Sequence, residues 1–285
     1  MSAGVSRVTV IGAGTMGHGI AQVAAQAGFA TRLFDLDAKA LEAALERIRA
    51  SLDKGVERGK LTDQERARAL LNLHPEADLS RAVEGSDLVI EAVREDLKIK
   101  QDLFLEVERQ VRAETLLATN TSSLPITQIA APLARPERLV GMHFFNPVPL
   151  MELIEVVISE RTAPWARDLA FEVGRRMRKQ PILVHDSPGF ASSRLGVVLG
   201  LEAMRMVEQQ VASAEDIDKA MELGYRHPMG PLKLTDLIGL DVRLAIAETL
   251  HRELGGEIYR PPEILRRKVA AGELGKKSGQ GFYTW

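Results

Sequence analysis

The sequence predicts an α/β domain on a doubly wound, mainly parallel sheet, followed by a smaller all-helical domain. Three observations carry that prediction. Short apolar, β-branched runs alternate with helical stretches as far as residue 184. A glycine loop, Gly12-Ala-Gly-Thr-Met-Gly17, joins the first run to the first helix. From about Ser192 onward the periodicity is helical, with no convincing strand.

Taken in order, Arg7-Val-Thr-Val-Ile11 reads as a buried strand. Residues 18–27 form a helix, with Gly28 where a C′ glycine belongs. Ala30-Thr-Arg-Leu-Phe34 is a second strand that ends at Asp35. Residues 37–73 are charged and helix-forming, with Leu41, Leu45, Ile48 and Leu52 on one stripe. Gly55 and Gly59 break that stretch before a second helix at about 62–71, so a helical pair is inserted here. His74 falls in a loop before Pro75. Strands follow at 88–93, 116–119, 139–145, 153–158 and 181–184, with helices at 97–111 and 165–178. The boundary falls within 184–188, dividing the chain into a dinucleotide-binding domain, 1–186, and a helical domain, 187–285.

Composition narrows the function. Of the 285 residues, 45% are hydrophobic, which is ample for two cores. The net charge of −2 argues against a nucleic-acid partner, which selects for basic excess. The absence of cysteine excludes disulfides, thiolate nucleophiles and cysteine-ligated metals. The first apolar stretch starts after Arg7 and is broken by three glycines, so it is neither a signal segment nor a membrane span. A cytoplasmic protein without a membrane partner is expected. The six histidines show no metal-ligand spacing.

The glycine loop is informative because of its context. It follows a strand, opens a helix, and has an acidic residue, Asp35, eighteen positions after Gly17. Gly12 permits the tight turn, Gly14 lets the backbone approach a pyrophosphate, and Gly17 lets helix and strand pack closely. The helix N-terminus then offers N–H groups and a positive dipole end to phosphates. This is a Rossmann-type dinucleotide site. Asp35 suits a ribose hydroxyl and repels a 2′-phosphate, so the cofactor is NAD rather than NADP. Arg32 is expected to face away from that pocket.

A second centre lies at His143-Phe-Phe-Asn146-Pro147, with Glu155 twelve residues on, inside an apolar strand. A carboxylate there is costly unless paired. Bonded to one nitrogen of a histidine, it fixes the tautomer and raises the basicity of the other nitrogen. That arrangement can take a proton from a hydroxyl while a hydride leaves the same carbon.

At these residues the chain resembles the short-chain L-3-hydroxyacyl-CoA dehydrogenases, including the bacterial 3-hydroxybutyryl-CoA dehydrogenases. The matching segments are Ile11-Gly-Ala-Gly-Thr-Met-Gly17, Glu91-Ala-Val-Arg-Glu-Asp-Leu-Lys98, Asn120-Thr-Ser-Ser-Leu124, His143-Phe-Phe-Asn-Pro-Val-Pro149 and Glu152-Leu-Ile-Glu155. Asp186-Ser-Pro-Gly-Phe190, Gly224-Tyr-Arg-His-Pro-Met-Gly-Pro231 and Lys277-Ser-Gly-Gln-Gly-Phe-Tyr283 match as well, in the family's order.

The resemblance implies that an L-3-hydroxyacyl-CoA and NAD⁺ give a 3-oxoacyl-CoA, NADH and a proton, as in fatty-acid β-oxidation. It implies His143 as the acid/base, Glu155 as its orienting partner, and Ser122 as a hydrogen-bond donor to the reacting oxygen. Asn146 would lie near the nicotinamide, and Glu95 and Lys100 around its ribose. Thr15, Met16, Ala92, Asn120 and the tail residue Lys277 would also contact the cofactor. For coenzyme A it implies Ser51, with Arg58 where the family often has lysine. Lys54, Arg58 and Lys60 give the helical pair a basic end suited to phosphates. Ser193 occupies a substrate position where the family usually has asparagine. The helical domain would form a homodimer. Two other readings remain open from the residues: a dehydrogenase of a free 3-hydroxy acid or sugar acid, and a non-catalytic dinucleotide-binding protein.

Overall fold

A computed structural model describes residues 4–285. The chain forms two compact units, 1–186 and 187–285.

The first unit follows the order β1 (Arg7–Ile11), α1 (Gly17–Gln26), β2 (Ala30–Phe34), α2 (Ala38–Glu57), α3 (Asp63–Leu71), β3 (Leu73–Glu76), α4 (Leu79–Val83), β4 (Leu88–Glu91), α5 (Leu97–Gln110), β5 (Leu116–Thr119), α6 (Ile126–Ala130), β6 (Leu139–Phe144), β7 (Leu153–Ile158), α7 (Pro164–Arg176) and β8 (Gln180–His185). The strands make one sheet in the order β3-β2-β1-β4-β5-β6-β7-β8. All neighbours are parallel except β6 and β7. Only a short turn joins those two, and a parallel pairing needs a crossover of a dozen or more residues. The direction of winding reverses between β1 and β4, where doubly wound sheets open a crevice at the carboxyl ends of their strands.

Packing explains the elements. Val10, Leu33, Leu88, Ile90, Leu116, Val140 and Met142 are fully buried in the sheet. Each contributes roughly 1.5–3 kcal/mol of transfer free energy. α1 buries Ile20, Ala21, Val23 and Ala24, and α2 buries Leu41, Ala44, Ile48 and Leu52. Asp37 caps α2, and Thr62 with Glu65 forms a capping box on α3.

Three local expectations are corrected. Gly55 does not break the helix, which runs through it to Glu57. A Cβ at Gly55 would lie 2.7 Å from Leu61, so the glycine admits the returning chain. Gly59, at φ +65°, supplies the stop. His74 and Pro75 are in β3 rather than a loop. Pro75 is tolerated because β3 is an edge strand, where a ladder donor is dispensable. β4 ends at Glu91, two residues early, because the backbone N–H of Val93 turns back to donate to the Glu91 carboxylate.

The second unit packs α8 (Ser192–Glu208), α9 (Ala214–Lys219), α10 (Pro231–Ile238), α11 (Leu240–Leu254) and α12 (Glu263–Ala270) around Val197, Leu201, Met204, Leu232, Leu240, Ala247, Leu250 and Leu265. Isolated bridges at Gly275, Gln280 and Thr284 are its extended pairings. The buried carboxylate of Asp236 holds the tail, accepting from the backbone N–H groups of Phe282 and Tyr283 and from Trp285 Nε1, each at 2.9 Å.

Candidate active site

The glycine loop sits at the switch between β1 and β4. Gly12 has φ +103°, and a Cβ there would meet the Ala92 carbonyl oxygen at 2.6 Å. A Cβ on Gly17 would come within 1.7 Å of the Gly12 carbonyl oxygen, so no other residue fits. Around Gly14 nothing lies within 4 Å of such an atom. Two glycines thus close the turn, while the third leaves its backbone open to a ligand. Thr15 is exposed, and Met16 is the N-cap position of α1. Ala92 joins the turn through its N–H to the Ile11 carbonyl at 2.8 Å. Asp35 stands directly beside the loop, with Oδ2 accepting from the Ala13 N–H at 2.7 Å and Oδ1 from the Asp37 N–H at 3.0 Å. Arg32 points elsewhere, donating to the carbonyls of Arg81 and Glu84. The cradle fits a dinucleotide pyrophosphate with a ribose against Asp35.

The ends of β4 and β5 carry a charged cluster in which Glu91 is the residue that sequence reasoning missed. Its side chain is fully buried and accepts from Lys100 Nζ at 2.6 Å, the Thr119 hydroxyl at 2.6 Å and the Val93 N–H at 2.7 Å. Lys100, expected beside a ribose, is 1% exposed and spends its ammonium on Glu91 and, at 3.2 Å, on Glu95. Burial pushes the Glu91 carboxyl above its ordinary range, against the pull of Lys100. Burial also works against a charge on Glu95. There, Lys100 and the hydroxyl of Thr121 outweigh it and hold the carboxyl below its ordinary range. Glu95 in turn accepts from the backbone N–H of Ser122 at 3.0 Å. The signal that could have found Glu91 was present: an acidic residue closing the apolar run Leu88-Val-Ile-Glu91.

His143 and Glu155 are direct partners across the antiparallel β6–β7 pair. His143 Nδ1 lies 2.7 Å from Glu155 Oε2, and the carboxylate is fully buried. The His143 ring packs against Phe145 at 4.5 Å between centroids. Asn120 Oδ1 accepts the Phe144 N–H at 2.9 Å, tying the loop that carries Ser122 to the strand that carries His143. Asn146 is exposed at the end of that strand.

A groove of about 720 Å³ runs between α1, α2, α3 and the turn before β7. Ser51, Lys54, Arg58, Lys60, Arg176 and Arg178 line it, so its wall is strongly cationic. Lys179 also lines it but donates to the carbonyls of Val148 and Met151, at 2.6 and 2.7 Å. In the second unit, Ser193 lies in the first turn of α8, and Lys277 forms an ion pair with Asp241. Among the described residues, no helix is long and apolar enough to cross a membrane, and no group of three or more acidic or histidine side chains could hold a metal.

A family model described as 3-hydroxyacyl-CoA dehydrogenase, NAD binding domain, matches residues 7–187, and one for the C-terminal domain of the same enzymes matches residues 189–285. The chain belongs to the 3-hydroxyacyl-CoA dehydrogenase family. This dehydrogenase is 44% identical to a probable 3-hydroxybutyryl-CoA dehydrogenase of Bacillus subtilis, over 99% of this chain and 98% of that one. It is 44% identical to a 3-hydroxybutyryl-CoA dehydrogenase of Mycobacterium tuberculosis, over the full length of both. The crystal structure of (S)-3-hydroxybutyryl-CoA dehydrogenase from Ralstonia eutropha is similar at TM-score 0.95 and 37% identity, covering 99% of each chain. The enzyme is an NAD-dependent 3-hydroxyacyl-CoA dehydrogenase, with a Rossmann-type first domain.

Proposed function

We propose that His143 and Glu155 perform the acid/base half of the oxidation of an L-3-hydroxyacyl-CoA to the 3-oxoacyl-CoA. The 2.7 Å bond between His143 Nδ1 and the buried Glu155 carboxylate carries this reading. NAD⁺ supplies the hydride acceptor. Glu155 holds the Nδ1 proton in place, so Nε2 takes the proton of the substrate hydroxyl. The carboxylate then stabilises the imidazolium that forms. In reduction the same nitrogen returns the proton. The Ser122 hydroxyl donates a hydrogen bond to the reacting oxygen, where negative charge develops. Asn146 would lie beside the nicotinamide of the bound cofactor, and Asp35 would hold its adenosine ribose. The groove with Ser51, Lys54, Arg58 and Lys60 takes the phosphates of coenzyme A.

The enzyme works in the cytoplasm as a homodimer. Leu234, Leu237 and Ile238, each about two-fifths exposed, share one face of α10 and supply the apolar surface for the second copy.

Loss of NADH absorbance tests the reading, with acetoacetyl-CoA, longer 3-oxoacyl-CoAs and free 3-oxo acids as substrates. Turnover of the thioesters is expected. Turnover of the free acids alone would overturn the role given to the basic groove.

A further inference from the structure

We propose that Glu91 is a positioning residue for the Ser122 hydroxyl, acting through Lys100 and Glu95. The proposal rests on the reading of Ser122 as the donor to the reacting oxygen.

The chain of contacts begins inside the sheet. Glu91 closes β4, and both its oxygens are occupied: Oε1 by Lys100 Nζ and the Val93 N–H, Oε2 by the Thr119 hydroxyl. The Lys100 ammonium is therefore fixed on its inner side. Its outer side meets Glu95 Oε2 at 3.2 Å. Oε1 of Glu95 gathers the loop after β5, accepting from Thr121 Oγ1 at 2.5 Å, the Ser122 N–H at 3.0 Å, Ser123 Oγ at 3.1 Å and the Ser123 N–H at 3.2 Å. Thr121 Oγ1 also accepts from the Leu124 N–H at 2.9 Å, which closes the turn.

One carboxylate oxygen thus draws the whole loop inward. The hydroxyls of Thr119, Thr121 and Ser123 are all used in this network. The Ser122 hydroxyl is the one on this loop without a protein partner among the described residues, and Ser122 is exposed. The network spends the neighbouring hydroxyls on the loop's own geometry and leaves that of Ser122 for the substrate.

Charge makes the arrangement obligatory. A buried ammonium and a buried carboxylate are each costly without the other. Without the Glu91 charge, Glu95 becomes the only anion of Lys100. The ammonium then pulls Glu95 toward the sheet and off the loop. Ser122 moves with the loop, so turnover falls even where NADH saturates the enzyme.

A double-mutant cycle tests this. Glu91→Gln and Ser122→Ala are made singly and together. kcat is measured at saturating NADH and acetoacetyl-CoA, and the Kd for NADH by its fluorescence. Glu91→Gln is expected to lower kcat about tenfold, with NADH kept saturating by each variant's own measured Kd. In the Ser122→Ala background, Glu91→Gln should change kcat by less than about twofold, because the residue it positions is gone. The same loss in both backgrounds would show independent effects and overturn the proposal. An unchanged kcat in Ser122→Ala alone would overturn the role of Ser122 itself, and the inference with it. If Glu91→Gln does not fold, Glu95→Gln at the outer end of the network replaces it in the same cycle. Its kcat loss must likewise vanish without Ser122.

Discussion

Glu91 and Glu155 are fully buried carboxylates in the same sheet, and they differ in the partner each one faces. Glu91 faces the ammonium of Lys100, and Glu155 faces the imidazole of His143. An ammonium keeps its proton through the neutral range, while an imidazole exchanges it there. The first pair therefore holds structure still. In the proposed reading, the second passes a proton to and from substrate. Burial is common to both, so it does not by itself mark a catalytic carboxylate. The partner decides. The second unit supplies a third case: Arg243 is 3% exposed, makes no ion pair, and its Nε has no hydrogen bond among the described residues. Burial pushes its guanidinium down to about 10.

The largest expected effect breaks the proton-carrying pair. His143→Gln should lower kcat by about 10²–10⁴-fold while NADH still binds. Stopped-flow turnover beside NADH fluorescence checks both halves, and activity near the parent's would remove His143 as the base.

Arg243 comes next. A guanidinium pushed down from its ordinary value to about 10 is disfavoured in the fold by roughly 3 kcal/mol, at about 1.4 kcal/mol per pKa unit. Its folded value is depressed, so that cost is present at every pH below about 10. Arg243→Met is expected to raise the calorimetric Tm by several degrees at pH 7. A lower Tm would mean that the guanidinium has an anionic partner in the assembled enzyme.

Glu155→Gln keeps the shape of the pair and removes its charge. A loss of about 10–100-fold in kcat is expected, smaller than for His143→Gln. Equal losses in steady-state assays of the two variants would erase the distinction between carrier and holder.

The smallest effect concerns carboxylates that the fold keeps ionised. Burial opposes the charge of Asp87, but the N–H groups of Arg7 and Ser6 outweigh it and hold the carboxyl below its ordinary range. Glu95 is held low in the same way. Groups depressed by folding contribute stability above their unfolded values of 3.8 and 4.5, and lose it as pH falls through the folded values. Asp87 and Glu95 should therefore make urea midpoints fall below about pH 5, with a shallower fall in Asp87→Asn. An identical slope in that variant would exclude Asp87 as a contributor.

Much of the first unit was legible in the sequence because its signals are local. The glycine loop, Asp35 and the alternation of apolar runs each depend on a few neighbouring residues. Glu155 was legible because a carboxylate amid Leu153-Ile-Glu-Val-Val-Ile158 demands a partner, and His143 was the nearest candidate on another apolar strand. β3 was not legible: Leu73-His-Pro-Glu76 shows neither alternation nor β-branched residues, and it is a strand only because β2 leaves an edge to fill. Glu91 was missed because its partner sits nine residues on, in a helix whose packing against β4 no local pattern encodes.

The sequence by itself determined the helix caps, the strand runs and the cofactor turn, since these follow from backbone freedom and side-chain period over short spans. Only the tertiary structure decided which charges meet. The β6–β7 register set His143 opposite Glu155, and the packing of α5 set Lys100 between two carboxylates. Such pairings join residues on different elements, and strand order and register, which no short segment carries, place them within hydrogen-bonding distance.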